Sequence, residues 1–250
     1  MRVINGMVRS GYAVSAAILV HTRSGLSSGN APGFATLHEV NTKGDRPEIL
    51  GGSVLGASTL EQMLVGLAPE RGLTFIEDRM LASSSNALVW WRKPAPARMW
   101  FNTSEDDALG QSQGVAPQPG LVFAATGDGW SVWAVKGTER PGRETPMFQA
   151  PYYNVANTGA ICVGNVTTPR GYGSEVASEY EAAFWGSRFT HSNVQIKRQL
   201  TRWRGGCSAL WLSLLAGKHK AFPERALTPL KATLGDVIEQ LAGRKPRRDV

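Results

Sequence analysis

The chain has 250 residues, of which 42% are apolar and 19% charged, a composition typical of a globular protein rather than a disordered or fibrous one. Its two cysteines, Cys162 and Cys207, cannot build a disulfide scaffold or a four-cysteine zinc site. The 27 basic and 20 acidic side chains give a net charge of +7, which leaves nucleic acid, a membrane surface or an acidic protein open as partners.

The first eighty residues alternate between short strands and a helix. The apolar run at residues 12–21 is shorter than the roughly 18 residues that a membrane helix needs, and we interpret it as a strand. A second strand is predicted at residues 34–41, followed by a turn at 43–47. Helical spacing of the next apolar residues predicts a helix that Ser58 or Thr59 caps.

From residue 87 the pattern changes to paired strands. Strand-like runs occur at residues 87–92, 99–102, 121–126 and 130–136. The last two flank Gly127-Asp128-Gly129, and a strand, an Asp-Gly turn and a second strand form the strongest hairpin pattern in the chain. We therefore predict an antiparallel meander, with residues 103–120 as a loop.

Beyond Gly137 the pattern is irregular up to a helix that is predicted to begin at Ser174. Its apolar face consists of Val176, Tyr180, Ala183, Phe184 and Ser187. Two further helices are predicted at residues 209–216 and 230–241. The basic cluster at residues 244–248 follows, and we interpret it as a solvated tail.

Cys162 is the first candidate for a catalytic group, because it lies in a Gly- and Asn-rich segment between the meander and a helix. The alternative is a small core residue, since free cysteine is among the most buried residue types. Asn154 lies eight residues before it, and residues 151–173 contain no Asp or Glu. No carboxylate close in sequence therefore opposes formation of a thiolate.

A set of short motifs spans roughly residues 85–195. They are Arg140-Pro141, Thr145-Pro146, Ala150-Pro151-Tyr152 with Asn154-Val155, Gly159 with Cys162 and Gly164, Glu181 with Ala183-Phe184, and Phe189-Thr190-His191. Together they resemble PRTRC system protein B, a bacterial family grouped with the prokaryotic ubiquitin-conjugating-enzyme-like proteins of family D.

This resemblance implies an α+β fold of the ubiquitin-conjugating-enzyme type, in which an antiparallel meander sheet packs on helices. We expect that core at residues 85–195, an N-terminal α/β extension at 1–84, and a C-terminal helical extension with the basic tail at 196–250. Cys162 would carry a ubiquitin-like modifier as a thioester and pass it to an amine. Asn154 would donate a hydrogen bond to the oxyanion of that transfer.

The chain departs from the eukaryotic enzymes just before the cysteine. Their His-Pro-Asn triplet is Tyr152-Tyr153-Asn154 here, so both tyrosines are expected to support the site by packing. His191 is a further supporting candidate, and the alternative is a histidine that interacts with the C-terminal end of a helix. Cys207 is interpreted as a partly buried residue at a helix start, although that position can activate a thiol.

The partners that the resemblance implies are a ubiquitin-like modifier, an adenylating activating enzyme and a metal-dependent isopeptidase of the same cytoplasmic bacterial cassette, which is often plasmid-borne. It implies no metal or organic cofactor. Two alternatives stay open: a non-catalytic scaffold of the same fold that binds a ubiquitin-like protein, and a nucleic-acid-binding module. The tryptophans of the predicted strands could stack on bases, but we expect them in the core or on sheet faces. They are Trp90, Trp91, Trp100, Trp130 and Trp133.

Overall fold

The computed structural model describes residues 14–21, 33–44, 46–67, 75–164, 166–194 and 200–243. Contacts along the chain divide it into two compact units, Met1–Thr74 and Phe75–Val250. The predicted basic tail at 244–248 and the start of the predicted first strand lie outside the described residues.

The first unit contains a three-stranded antiparallel sheet and a helix. Strands β1 (Ala16–His21), β2 (Phe34–Asn41) and β3 (Glu48–Leu55) pair in the order β1-β2-β3, and helix α1 (Ala57–Leu67) follows. The sequence pattern predicted β1 and β2 but not β3, whose two adjacent glycines weaken the signature of a strand.

The predicted cap of α1 is wrong. The helix begins at Ala57, and the Leu60 N–H donates to the Gly56 carbonyl over 3.0 Å. Gly56 is therefore the residue whose carbonyl accepts the first intrahelical bond, and both Ser58 and Thr59 lie within the first turn.

The second unit is built from two sheets and three helices in its described part. The strands of the larger sheet are β4 (Met80–Ser84), β5 (Ala87–Arg92), β8 (Gly120–Thr126), β9 (Gly129–Val135), β10 (Pro146–Gln149) and β12 (Pro229–Thr233). They pair antiparallel in the order β12-β10-β9-β8-β5-β4. The smaller sheet consists of β6 (Ala97–Phe101), β7 (Gln113–Ala116) and β11 (Arg188–Phe189), in the order β11-β6-β7. The helices are α2 (Ala177–Gly186), α3 (Gly206–Leu215) and α4 (Leu234–Leu241), and a 3₁₀ turn at Ser174–Val176 leads into α2.

The predicted α+β class is confirmed, and the antiparallel meander is confirmed in part. The predicted strand at 99–102 lies in β6 of the smaller sheet, and β5 pairs directly with β8. The Gly127-Asp128 turn joins β8 to β9, with Thr126 paired to Gly129. The predicted loop at 103–120 is wrong in part, since it contains β7, which pairs with β6. β4 was not predicted, and it extends the meander sheet N-terminal to residue 85.

The predicted helix at 230–241 is also wrong in its first four residues, 230–233, which belong to β12. This strand pairs with the edge of β10, and the helix starts only after Thr233. A capping box fixes that start: the Asp236 N–H donates to Thr233 Oγ1, and the Thr233 N–H donates to the Asp236 carboxylate over 2.7 Å. The C-terminal segment is therefore mixed strand and helix rather than helical throughout.

The central strands β5, β8 and β9 are buried on both faces. One face carries Leu88, Trp90, Leu121, Phe123, Ala125, Trp130, Val132 and Ala134. The opposite face carries Val89, Val122, Ala124, Trp133 and Val135, and packs against Met147, Leu234 and Val237. Alternate residues of one strand thus enter two different cores, which explains why the three runs are almost continuously apolar.

Helices α2 and α3 cover the first face with an aromatic cluster. Phe184 of α2 lies 5.4 Å from Phe123 and 5.2 Å from Tyr152 between ring centroids. Trp211 of α3 stacks on Tyr152 at 5.4 Å. The predicted face of α2 is confirmed, because Tyr180, Phe184 and the following Ser187 are all buried.

Glu181 of α2 joins that helix to the sheet through three donors. Its carboxylate accepts the indole N–H of Trp90 over 3.0 Å, and it pairs with Arg79 at 3.0 Å and Arg92 at 3.2 Å. The Arg92 guanidinium also lies over the Trp185 ring, 5.0 Å from its centroid. The side chain of Glu181 is only 14% exposed, so the carboxylate neutralises two partly buried cations.

Replacing Glu181 by Gln should therefore lower the free energy of unfolding by about 2 kcal/mol, because the change removes the counter-charge of Arg92 and one of the two carboxylates that pair with Arg79, the other being Glu77. The measurement is urea unfolding followed by tryptophan fluorescence. Glu179→Gln, at an exposed position of the same helix, is the matched control and should change stability little. Equal unfolding midpoints for the two variants would contradict the role given to Glu181.

Candidate active site

The segment that carries Cys162 is attached to the edge of β9. β10 pairs with only two residues of that edge, Trp133 and Ala134. Residues 159–161 pair with the part of β9 that lies N-terminal to Trp133. The Val132 N–H donates to the Gly159 carbonyl over 2.8 Å, and the Ile161 N–H donates to the Trp130 carbonyl over 3.1 Å. The backbone next to Cys162 is therefore fixed by the central sheet.

Gly159 is required for this attachment by both its conformation and its surroundings. Its φ is +88°, in the left-handed region that favours glycine. A Cβ at this position would lie 2.4 Å from the indole ring of Trp133. A larger residue would therefore displace the segment from β9.

A narrow hairpin brings Asn154 and Cys162 together. The Cys162 N–H donates to the Asn154 carbonyl over 2.7 Å, and the Ala156 N–H donates to the Ala160 carbonyl over 2.9 Å. The Gly159 N–H donates to the Ala156 carbonyl over 2.9 Å and closes the turn. The eight-residue spacing seen in the sequence thus corresponds to a direct backbone contact, and the Cys162 side chain itself is exposed.

Asn154 is buried and has a φ of 65°, the single positive φ among the non-glycine residues that the structure describes. Asparagine is one of the few side chains that tolerate this conformation. Its amide nitrogen donates to the Arg188 carbonyl over 2.6 Å, and its amide oxygen accepts the N–H and the hydroxyl of Thr190 over 3.2 and 3.0 Å. The observed bonds thus tie the hairpin to the segment after α2.

The two tyrosines before Asn154 point into different parts of the second unit. Tyr152 is fully buried, and its hydroxyl donates to the side-chain oxygen of Gln118 over 2.9 Å. The Tyr153 hydroxyl donates to the Asp107 carboxylate over 2.5 Å and lies 3.0 Å from Ser208 Oγ. Burial raises the pKa of both phenols, and the bond to Asp107 adds to the shift at Tyr153. Both hydroxyls therefore stay protonated at neutral pH.

His191 is exposed and lies beyond the end of α2, so the expected interaction with a helix C-terminus is wrong. The strand β11 separates it from the helix. Its carbonyl accepts the Asn154 N–H over 3.0 Å, and its Nδ1 lies 2.8 Å from Thr190 Oγ1. Asn154 is therefore hydrogen-bonded through its own backbone to both Cys162 and His191.

A polar cavity of about 390 Å³ lies beside His191. It is bounded by Tyr153, Thr190 and Ser192, by Asp107 and by the first residues of α3. Cys207, one of those α3 residues, is buried, and its thiol donates a weak bond to the Pro151 carbonyl over 3.6 Å. Desolvation raises the pKa of Cys207, which keeps this thiol protonated and unreactive.

For three residues of this arrangement the sequence predicted no role at the site. Thr190 appears there only inside a motif, Trp133 only as a sheet residue, and Gln118 only within a loop. No local pattern identifies their partners, because Thr190 and Asn154 are 36 residues apart and Tyr152 and Gln118 are 34 apart.

Neither a membrane span nor a metal centre is found in the described residues. Their helices are too short or too polar to cross a bilayer. They also contain no group of three His, Cys, Asp or Glu side chains that could hold a metal ion.

Comparison with known proteins gives a match at the level of a family. A family model described as prokaryotic E2 family D matches residues 59–230. No curated protein and no solved structure matches the chain. The matched range contains Cys162, the three residues 152–154 and His191.

The two thiols should differ sharply in reactivity. Iodoacetamide should alkylate Cys162 in the folded protein and leave Cys207 unmodified, because Cys207 is buried and its pKa is raised. Peptide mass spectrometry before and after unfolding in guanidinium measures both sites. Alkylation of Cys207 at the same rate as Cys162 under native conditions would contradict the structure.

Proposed function

Since the matched range covers more than half of its length, the chain belongs to prokaryotic E2 family D, and we propose that it carries a ubiquitin-like modifier as a Cys162 thioester and transfers it to an amine. E2 denotes the ubiquitin-conjugating enzymes, and the family implies interaction with a ubiquitin-like protein and an activating enzyme. The antiparallel meander packed on helices supports an E2-like fold for the second unit.

The observation that carries this proposal is the contrast between a fixed backbone and a free thiol at Cys162. The peptide N–H of Cys162 is bonded to Asn154, and the preceding Ile161 is bonded to β9, yet the side chain is exposed. A large protein thioester can therefore reach the sulfur without a change in the fold. Cys207 offers no such access.

The proposed chemistry needs two exchanges at one sulfur. In the first, the Cys162 thiolate attacks the modifier thioester on the activating enzyme, and that enzyme's cysteine thiolate leaves. In the second, an acceptor amine attacks the Cys162 thioester, an amide bond forms, the C–S bond breaks and the amine loses a proton. Neither exchange needs a metal or an organic cofactor.

Asn154 is proposed to act in the second exchange, where the tetrahedral intermediate carries an oxyanion. A primary amide has two N–H groups, and one of them donates to the Arg188 carbonyl. The second N–H would serve the oxyanion while the first holds the amide in place. Tyr152 and Tyr153 support this arrangement because their hydroxyls bond to Gln118 and Asp107, which anchors the chain just before Asn154.

We further propose that the protein acts in a PRTRC-type cassette of the bacterial cytoplasm, together with a modifier, an adenylating enzyme and a metal-dependent isopeptidase. The motif set of residues 85–195 supports this assignment. Among the alternatives, a non-catalytic scaffold would share the fold but not the thioester. A nucleic-acid-binding module has less support, since Trp90, Trp130 and Trp133 are buried rather than displayed for stacking.

Thioester formation is the direct test. Incubation with the activating enzyme of the cassette, ATP and modifier should give an adduct on a gel run without reductant, and thiol treatment should remove it. Cys162→Ala should abolish the adduct, whereas Cys207→Ala should retain it. Cys162→Ser should yield an oxygen ester that resists thiols. An adduct that persists in Cys162→Ala would refute the site, and absence of any adduct would favour the scaffold.

Asn154→Ala should slow single-turnover discharge to an amine by on the order of a hundredfold, the usual cost of removing one oxyanion donor. If the amide acts on the oxyanion, loading should change far less than discharge. The melting temperature should fall in either case, because Ala removes the bonds to Arg188 and Thr190 and tolerates a φ of 65° poorly. Asn157→Ala, an exposed asparagine of the same hairpin, is the control and should behave as wild type. Normal discharge from Asn154→Ala would remove this residue from the mechanism.

A further inference from the structure

The orientation of the Asn154 amide is fixed by two backbone groups of the opposite segment. The Arg188 carbonyl can only accept, so the amide atom 2.6 Å from it is the NH₂ group. The Thr190 N–H can only donate, so the amide atom 3.2 Å from it is the oxygen. The amide nitrogen and oxygen of Asn154 therefore cannot exchange places.

This orientation in turn fixes the proton on Thr190 and then the proton on His191. The Thr190 hydroxyl lies 3.0 Å from the Asn154 amide oxygen, an acceptor without protons, so the hydroxyl donates there. Its oxygen is then left to accept at the 2.8 Å contact with Nδ1 of His191. The neutral imidazole therefore carries its proton on Nδ1 and its lone pair on Nε2, to which no group of the described residues donates.

Asn154 links His191 to the residue that carries the exposed thiol. Its carbonyl accepts the Cys162 N–H over 2.7 Å, and its own N–H donates to the His191 carbonyl over 3.0 Å. The backbones of Cys162 and His191 are therefore fixed to the same residue. His191 is exposed and opens on the polar cavity of about 390 Å³, which gives an acceptor side chain a route of approach.

We propose that His191 is the general base of the amine transfer, with Thr190 as the residue that positions it. This inference rests on the proposed function. As the amine attacks the Cys162 thioester, a C–N bond forms and Nε2 takes one proton from the nitrogen. The C–S bond then breaks, and the imidazolium returns that proton to the leaving thiolate. The bond from Nδ1 to Thr190 is the same in both ring states, so the cycle needs no rearrangement.

The other titratable groups that face the cavity fit this role. Tyr153, which follows β10, and Cys207, on α3, have raised pKa values and stay neutral. Asp107, on the segment between β6 and β7, accepts from the Tyr153 hydroxyl and from the Leu109 N–H.

The test separates loading from discharge with a chemically defined probe. A short fluorescent peptide thioester of 2-mercaptoethanesulfonate is exchanged onto the full-length protein, excess probe is removed, and the Cys162 adduct is chased with Nα-acetyl-lysine or with hydroxylamine. Hydroxylamine is largely unprotonated at neutral pH and needs no base. The variants are His191→Gln, Thr190→Val and, as a control, His219→Gln, whose ring bonds to Ser213 elsewhere in the unit.

His191→Gln should load as wild type does but transfer to acetyl-lysine about a hundredfold more slowly, the usual lower range for loss of a general base. Its lysine reaction should also lose the rise in rate over the pH range in which imidazoles titrate, while hydroxylamine discharge stays normal. Thr190→Val should slow only the lysine reaction, by a smaller factor. His219→Gln should match wild type.

Wild-type rates of lysine discharge from His191→Gln would overturn the general-base role. Equal slowing toward both nucleophiles, with a lower melting temperature, would assign His191 a structural role instead. Absence of any adduct on the wild-type protein would overturn the proposed function and this inference together. If the wild-type protein loads normally, a failed discharge prediction overturns only the role proposed for His191.

Discussion

The hydrogen-bonding requirement of β9 determines where Cys162 lies. One edge of this strand pairs along its whole length with β8, while β10 covers only Trp133 and Ala134 on the other edge. The remaining peptide groups would be costly to bury without partners, and residues 159–161 supply them. The chain leaves the sheet immediately afterwards, so Cys162 combines an anchored backbone with an exposed thiol.

Burial on both faces of the central sheet explains the route of the chain around it. Helices α2 and α3 cover one face through Phe184 and Trp211, while β12 and α4 complete the other through Leu234 and Val237. Between β10 and α2, residues 159–161 run along the free part of the β9 edge. Leu234 and Val237 of α4 join the sheet residues in the second core.

Asn154 concentrates several roles in one residue. Its φ of 65° turns the chain, its backbone bonds to Cys162 and His191, and its side chain holds the segment 188–190. Through these contacts Asn154 connects the hairpin that carries Cys162 to the segment after α2. Tyr152 and Tyr153 serve packing and anchoring, since their hydroxyls bond to Gln118 and Asp107.

The sequence by itself determined the α+β class, the Asp-Gly hairpin, the buried face of α2 and the family, because each depends on residues that are close in the chain or on a motif read directly. Cys162 and Asn154 could be paired from their spacing for the same reason. The sequence did not indicate β3, β4, β7, β10, β11 or β12, since these strands are short or glycine-containing and are stabilised mainly by a partner strand. Only the tertiary structure decided the tautomer of His191, because it depends on a chain of bonds through Thr190 to Asn154, 36 residues away. Proton positions of this kind follow from which groups meet across the fold, and local propensity carries no information about them.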